Sequence, residues 1–322
     1  MSTAPTLEDV RRAAERIAPY AHRTPVLTSR SIDAIVGSQL FFKCENLQRV
    51  GAFKFRGACN TVMSLTEEEA SRGVATHSSG NHAAALTLAA SLRGAPAHIV
   101  MPRTSPEVKK RAVAGYGASI TYCEPTLEAR ESTLDEVVAR TGATFVHPYN
   151  DHRIIAGQGT AGLELMEDVP GLDTVMTPVG GGGLLSGTSI SVTSLDPTVR
   201  VIAAEPEGAD DAHRSLIEGR IVPSVEPRTI CDGLLTSLGE KTFAIIRNNV
   251  ERIVTVSDAA VLEAMRLVWE RMKVVIEPSA AVTLGVLLER KIDLTGRRIG
   301  IVFSGGNVDL GAFFAGLDPQ NS

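Results

Sequence analysis

Aromatic residues supply only 4% of the chain, with a single tryptophan. So thin a supply excludes the stacked aromatic platforms that grip single-stranded nucleic acid. There is no excess of positive charge either: 32 Lys and Arg face 37 Asp and Glu, the net charge is −5, and no basic stripe gathers. Nucleic acid is therefore not an expected partner. Cysteine is scarce. Cys44, Cys59, Cys123 and Cys231 lie far apart with no Cys-x-x-Cys pair, which removes zinc ribbons and dithiol redox motifs and leaves reduced, mostly buried thiols. No apolar run reaches membrane-spanning length, and the stretch 1–9 has no apolar signal core. A soluble, cytoplasmic protein with no membrane partner is expected.

What the chain does have is glycine, 29 residues, and many short apolar runs within 322 residues that are 43% hydrophobic. That is more than one core usually holds, so two lobes are expected. After a capped amphipathic helix over Thr6–Pro19, with Thr6 and Asp9 as a capping box, strands are predicted at Gln39–Cys44, Gly73–His77, Ala97–Met101, Ser119–Cys123, Thr174–Pro178, Arg200–Glu205 and Arg298–Phe303. Helices are predicted at Phe55–Leu65, Asn81–Arg93, Pro106–Tyr116, Thr126–Thr141, His152–Asp168, Gly183–Leu195 and Ala260–Arg271. Alternation of this kind specifies an α/β fold with parallel sheets and helices on both faces. Three glycine-rich turns follow strands, at Ser78–His82, Gly180–Gly183 and Ser304–Asn307. Ligands in open α/β sheets bind beyond the carboxyl ends of strands, so the three turns point to one shared cleft.

Two features carry chemistry. Lys54 sits in Gly51-Ala52-Phe53-Lys54-Phe55-Arg56-Gly57, where a strand gives way to a helix. Apolar surroundings disfavour the ammonium, lower its pKa and free the amine to act as nucleophile or base, as a Schiff-base lysine requires. Gly180, Gly181, Gly182 and Gly183 lie between a strand and a helix. Bare backbone N–H groups at a helix N-terminus form a nest for a phosphate. No Gly-Lys-Ser/Thr follows, so this is not a Walker loop, and a dinucleotide fingerprint fits poorly. From these residues alone a Rossmann-type dehydrogenase remains open, although it leaves Lys54 and Ser304 without a task. A non-catalytic cofactor-binding protein also remains open.

Taken together, Arg23-Thr24-Pro25-Val26, Phe42-Lys43-Cys44-Glu45-Asn46, Gly51–Gly57, Ser78–His82, Ala156-Gly157-Gln158-Gly159-Thr160, Gly180–Gly183, Ile276-Glu277-Pro278-Ser279 and Ser304–Asn307 resemble the fold type II pyridoxal-phosphate (PLP) enzymes. The branch is that of serine racemases and serine/threonine dehydratases, and the resemblance spans nearly the whole chain. It implies a two-lobed, tryptophan synthase β-like fold, with a small mobile domain over 50–145 and a large PLP-binding domain formed by 1–49 and 146–322. It further implies that Lys54 carries PLP as a Schiff base, Phe53 lies against the pyridine ring and Asn81 meets the phenolic oxygen. Gly180–Gly183 would hold the phosphate and Ser304 would face the ring nitrogen. A hydroxyl cannot fully protonate that nitrogen, which suits β-elimination rather than transamination.

Ser78, Ser79, Gly80, Asn81 and His82 would bind the substrate. Ser79 stands where threonine dehydratases commonly have alanine. In the racemase-like branch this serine lies on the cofactor face opposite the lysine, so Lys54 and Ser79 could form a two-face acid–base pair. The implied activity is loss of water from 3-hydroxyaspartate, L-serine or L-threonine to give a 2-oxo acid and ammonia, with racemisation as the alternative. Glu205, Ala209 and Asp211 match a divalent-cation site of similar enzymes, and oxygen ligands suit Mg²⁺, Ca²⁺ or Mn²⁺. Thr76–Ser79, which includes His77, and His147–Asp151 look like bacterial 3-hydroxyaspartate dehydratases, in which His or Arg could meet a second carboxylate. Relatives suggest a homodimer. With no room for a regulatory ACT-type domain, the chain does not resemble feedback-regulated threonine deaminase.

Overall fold

The computed structural model describes residues 4–105, 107–309 and 311. The start of the chain (1–3), the predicted helix start at Pro106, and residues 310 and 312–322 of the predicted large domain lie outside the described residues. Among the described residues ten strands form two sheets: β1 (Val26–Leu27), β2 (Gln39–Cys44), β3 (Val74–His77), β4 (Ala97–Pro102), β5 (Ser119–Cys123), β6 (Thr144–Phe145), β7 (Thr174–Pro178), β8 (Arg200–Pro206), β9 (Arg252–Val256) and β10 (Arg298–Phe303). One sheet runs β1-β2-β10-β7-β8-β9 and the other β5-β4-β3-β6. Every neighbouring pair is parallel except β1–β2. The sheets are parallel as expected, and only the two-residue β1 at one edge lies antiparallel, to β2.

The larger sheet is buried on both faces. Ile299, Ile301 and Phe303 of β10 pack with Val261 and Leu284, from the helices Asp258–Met272 and Pro278–Leu288. Val302, one residue out of step, joins the opposite core with Leu165, Leu185 and Ile246. This is the period of two expected of a strand, and apolar burial on both sides makes β10 a near-continuous hydrophobic run. The smaller sheet is covered likewise. Val74, Ile99 and Met101 meet Phe55 and Leu86, while Ala75 and Val100 meet Leu134 and Val137.

A buried ionic cluster ties the start of the Lys54 helix to the larger sheet. Arg56 is wholly buried, and its Nε donates to Glu45 Oε2 at 2.7 Å while Nη1 reaches Glu164 Oε1 at 2.7 Å. Lys43, also wholly buried, bonds Glu164 Oε2 at 2.7 Å and the Thr24 carbonyl at 2.7 Å. Removing one partner leaves a charge stranded in a low-dielectric interior. Arg56→Ala is therefore expected to lower the unfolding free energy by about 3–5 kcal/mol, measured by denaturant titration. A loss below about 1 kcal/mol, the worth of a surface pair, would contradict the reading.

Candidate active site

The carboxyl ends of β3, β7 and β10 open onto one cleft of about 560 Å³. Its wall contains Phe53, Lys54, Ser78, Ser79, Gly80, Asn81, His82, Gly180, Gly181, Gly182, Gly183 and Ser304. All of these are expected from the sequence to meet cofactor or substrate, and the fold brings them together.

Lys54 opens the helix Lys54–Met63 and is only partly covered, yet its amine is desolvated enough for its pKa to fall to about 8, with Glu277 pulling the other way. Nζ donates to the Pro148 carbonyl at 2.9 Å and lies 5.1 Å from the centre of the Phe53 ring. The turn that presents Lys54 is stitched to the segment after β10. Phe53 N–H donates to Ser304 O at 2.9 Å, Gly306 N–H donates to Gly51 O at 2.9 Å, and Ala52 pairs with Gly305 as an antiparallel bridge.

Gly180–Gly183 follow β7 and lead into the helix Gly183–Leu195. Gly182 has φ +87°, open to glycine at little cost. A Cβ at Gly181 would come within 2.4 Å of the Tyr149 ring. All four residues are buried. Among the described residues none of their N–H groups donates to a protein acceptor outside the helix. Buried donors left without partners are costly, and an anion at this turn would satisfy them. A second helix, Asn81–Arg93, starts in the cleft with Gly80 as its N-cap and no side-chain cap bond, leaving N–H groups for a carboxylate.

The His82 ring contributes less than expected. It is 3% exposed, its Nε2 lies 3.2 Å from the Val146 carbonyl, and burial drives its pKa down to about 3. It is a neutral, packed imidazole, and its most direct offer to a ligand is its backbone N–H. His147 is also neutral, its pKa pulled to about 4 by burial. Its Nδ1 accepts from the N–H groups of Tyr149 at 3.2 Å and Asn150 at 2.9 Å. That fixes the ring proton on Nε2 as a donor.

The wall also holds residues that were given no role from sequence: Arg130, Glu131, Lys109, Asp232 and Glu277. The Arg130 Nε is buried without a hydrogen-bond partner among the described residues, and its charge helps depress the neighbouring His77, after burial itself. Lys109 and Asp232 face each other across the cleft, Nζ to Oδ2 at 2.7 Å. Their neighbours in sequence gave no warning, because each acquires its position from tertiary packing.

Glu205 near the end of β8, Ala209 in the short helical turn that follows, and Asp211 at the start of the helix Asp211–Glu218 lie outside the cleft wall. Glu205 is wholly buried and accepts from the N–H groups of Ala212 at 3.0 Å and His213 at 2.8 Å, while burial pushes its pKa up to about 9. Asp211 is 1% exposed and raised by burial to about 6. Ser224 pulls the other way, but neither carboxylate oxygen makes a hydrogen bond of normal geometry. No cluster of three or more His, Cys, Asp or Glu residues suited to a metal occurs among the described residues. The set here comprises two carboxylates and one backbone carbonyl.

A family model described as pyridoxal-phosphate dependent enzyme matches residues 17–305. The chain belongs to the pyridoxal-phosphate-dependent enzymes. Within that family it is 52% identical over 306 residues to a beta-hydroxyaspartate dehydratase of Paracoccus denitrificans, covering 95% of this chain and 97% of the relative. It is 48% identical over 307 residues to an L-threo-3-hydroxyaspartate ammonia-lyase of Saccharomyces cerevisiae, covering 95% and 94%. The crystal structure of serine racemase from Dictyostelium discoideum superposes with a TM-score of 0.91 at 51% identity, covering 94% of this chain and 99% of that one. Fold type II and the dehydratase–racemase branch are thus the chain's own. The amine of Lys54 and the open N–H groups of Gly180–Gly183 fit the aldehyde and phosphate of the family's cofactor.

Proposed function

We propose that the protein is a PLP-dependent dehydratase that removes water from a β-hydroxy amino acid and releases a 2-oxo acid and ammonia, with 3-hydroxyaspartate as the preferred substrate over L-serine and L-threonine. The observation that carries this reading is the presence, in one cleft, of a lysine with a depressed pKa and a guanidinium, Arg130, whose Nε has no partner. Lys54 would hold the cofactor, Gly180–Gly183 its phosphate, Asn81 its phenolic oxygen and Ser304 its ring nitrogen, with Phe53 against the ring. When bound, the cofactor supplies the electron sink that makes the substrate's Cα proton acidic. Lys54 Nζ takes that proton. Ser78, Ser79, Gly80 and the N–H groups that open the helix at Asn81 and His82 hold the α-carboxylate. Arg130, with the His147 Nε2 donor, takes the second carboxylate. The small lobe, 50–145, closes on the substrate, and Lys109–Asp232 helps to exclude water.

A second reading, racemisation, is favoured by one observation: Ser79 enters on the turn after β3 of the smaller sheet, whereas the Lys54 turn is bonded to the end of β10 in the larger one. The test is a panel of L- and D-serine, L-threonine and the 3-hydroxyaspartate stereoisomers, assayed for keto acid, ammonia and chirality. Keto acid formed from hydroxyaspartate at the highest kcat/KM supports the proposal. Inverted amino acid without keto acid would replace it with racemisation, and no product from any substrate would overturn both.

Glu205, Asp211 and the Ala209 carbonyl are proposed to bind Mg²⁺, Ca²⁺ or Mn²⁺ as a structural or activating ion. Buried carboxylates held near each other, one of them lacking hydrogen bonds, fit a cation in place of protons. Saturating metal at a hundred times its Kd stabilises a protein by about 2.7 kcal/mol, so stripping it with a chelator is expected to lower the Tm by several degrees. An unchanged Tm argues against the site. Four buried free cysteines among the described residues support a reducing, cytoplasmic setting. A homodimer is proposed from the resemblance, to be checked by sedimentation.

A further inference from the structure

Glu277 is a buried carboxylate in the cleft wall, and the proposed reaction leaves it without a task. It is 4% exposed, and burial pushes its pKa up to about 7. It occupies the N-cap of the helix Pro278–Leu288, where a carboxylate ordinarily accepts from the first turn, yet its side chain makes no cap bond. It is aimed at the cleft instead. Both of its oxygens accept from Asn81 Nδ2, at 3.1 Å each, and Oε2 also accepts from the Asn307 N–H at 3.2 Å. Asn307 Nδ2 in turn donates to Asn81 Oδ1 at 2.9 Å and to Val50 O at 2.7 Å.

The Asn81 carboxamide is thus pinned at both ends. Reversing it would set Oδ1 against a carboxylate and Nδ2 against the Nδ2 of Asn307, exchanging two bonds for two repulsions. Both of the Nδ2 contacts go to the two oxygens of one carboxylate, which a single bifurcated N–H serves, and this leaves the second N–H of the amide for the cleft that Asn81 lines.

We propose that Glu277 is a positioning residue: together with Asn307 it locks the Asn81 carboxamide so that a donor, not an acceptor, faces the phenolic oxygen of the cofactor. This rests on the reading of Asn81 as the partner of that oxygen. A donor favours the oxygen as an anion, and an acceptor would favour it protonated. The two forms absorb at different wavelengths, so their ratio reports the amide's orientation without any turnover.

The experiment records absorption spectra of the cofactor-loaded protein, Glu277→Gln, Asn81→Ala and the double variant. A glutamine can present either end to Asn81 and releases the lock. Glu277→Gln is expected to lower the ratio of ionised to protonated form roughly tenfold, the size of one hydrogen bond to a charged group. In the Asn81→Ala background the same change should move the ratio no further. If Asn81→Ala alone leaves the spectrum as it was, the reading of Asn81 fails. If Asn81→Ala shifts it while Glu277→Gln does not, or if Glu277→Gln shifts it equally in both backgrounds, the positioning role fails and the reading of Asn81 stands. Should Glu277→Gln not take up cofactor, Asn307→Ala frees the other end of the amide and must move the ratio in the same direction. No movement there overturns the proposal.

Discussion

Replacing Lys54 with alanine is expected to lower turnover of every β-hydroxy amino acid by at least ~10⁴-fold, because on the proposed reading the covalent anchor and the base that takes the Cα proton are lost together. It also removes the absorption of the lysine-held cofactor, and an unchanged band in this variant would refute the assignment of Lys54. The argument rests on free-amine concentration. An ordinary lysine has a pKa of about 10.4; desolvation brings Lys54 to about 8. At pH 7 the free-base fraction of Lys54 is then roughly 200-fold greater. The sign follows: capture of the aldehyde by apoprotein should accelerate as pH rises and level off above about 8, two units earlier than for an exposed lysine. The neighbouring imidazoles of His82 and His147 are already neutral well below that range, so they do not contribute a step there.

The second large effect concerns choice of substrate. Arg130→Gln is expected to cut kcat/KM for 3-hydroxyaspartate by roughly 100-fold, since a charged hydrogen-bond partner of the second carboxylate is lost. Serine, which has no second carboxylate, should lose less than about threefold, within the worth of a peripheral contact. Equal losses on both would mean that Arg130 shapes the cleft without reading the substrate. Glu131 stands beside Arg130 in the cleft wall, so the variant also leaves a negative charge facing the incoming dianion, which strengthens the discrimination. Burial lowers the pKa of His77 and brings that of His147 to about 4, so the His147 ring does not replace the positive charge of Arg130.

Local sequence signals located most of the larger elements. β2, β5, β7 and β10 and the helices Asn81–Arg93, His152–Asp168 and Gly183–Leu195 run over the predicted bounds, because each combines a clear apolar period with glycine or polar punctuation. β1 and β6 have two residues each, too few to show any period. β9 was missed despite its Ile253-Val254-Thr255-Val256 run, which offered a fair β-propensity signal at the sheet edge. The helix Pro278–Leu288 is apolar all round and buried from Ser279 to Leu287, so it has no amphipathic stripe to detect. The site divides in the same way. Lys54 and Gly180–Gly183 announce themselves through neighbours in sequence. Arg130 and Glu277 do not: one is an ordinary charge on a charged helix and the other stands at an N-cap, and only packing against residues distant in sequence, His77 for Arg130 and Asn81 for Glu277, places them at the cleft.

The stitching of Gly51–Phe53 to Ser304–Gly306 sets an order on assembly. The reactive amine hangs by main-chain bonds from a strand that lies some 250 positions later in the chain and is inserted at the middle of its sheet. Contacts of such separation form only after the intervening loops have closed. Maturation is therefore expected to wait on β10, the last strand among the described residues: until it slots between β2 and β7, Lys54 has no fixed address.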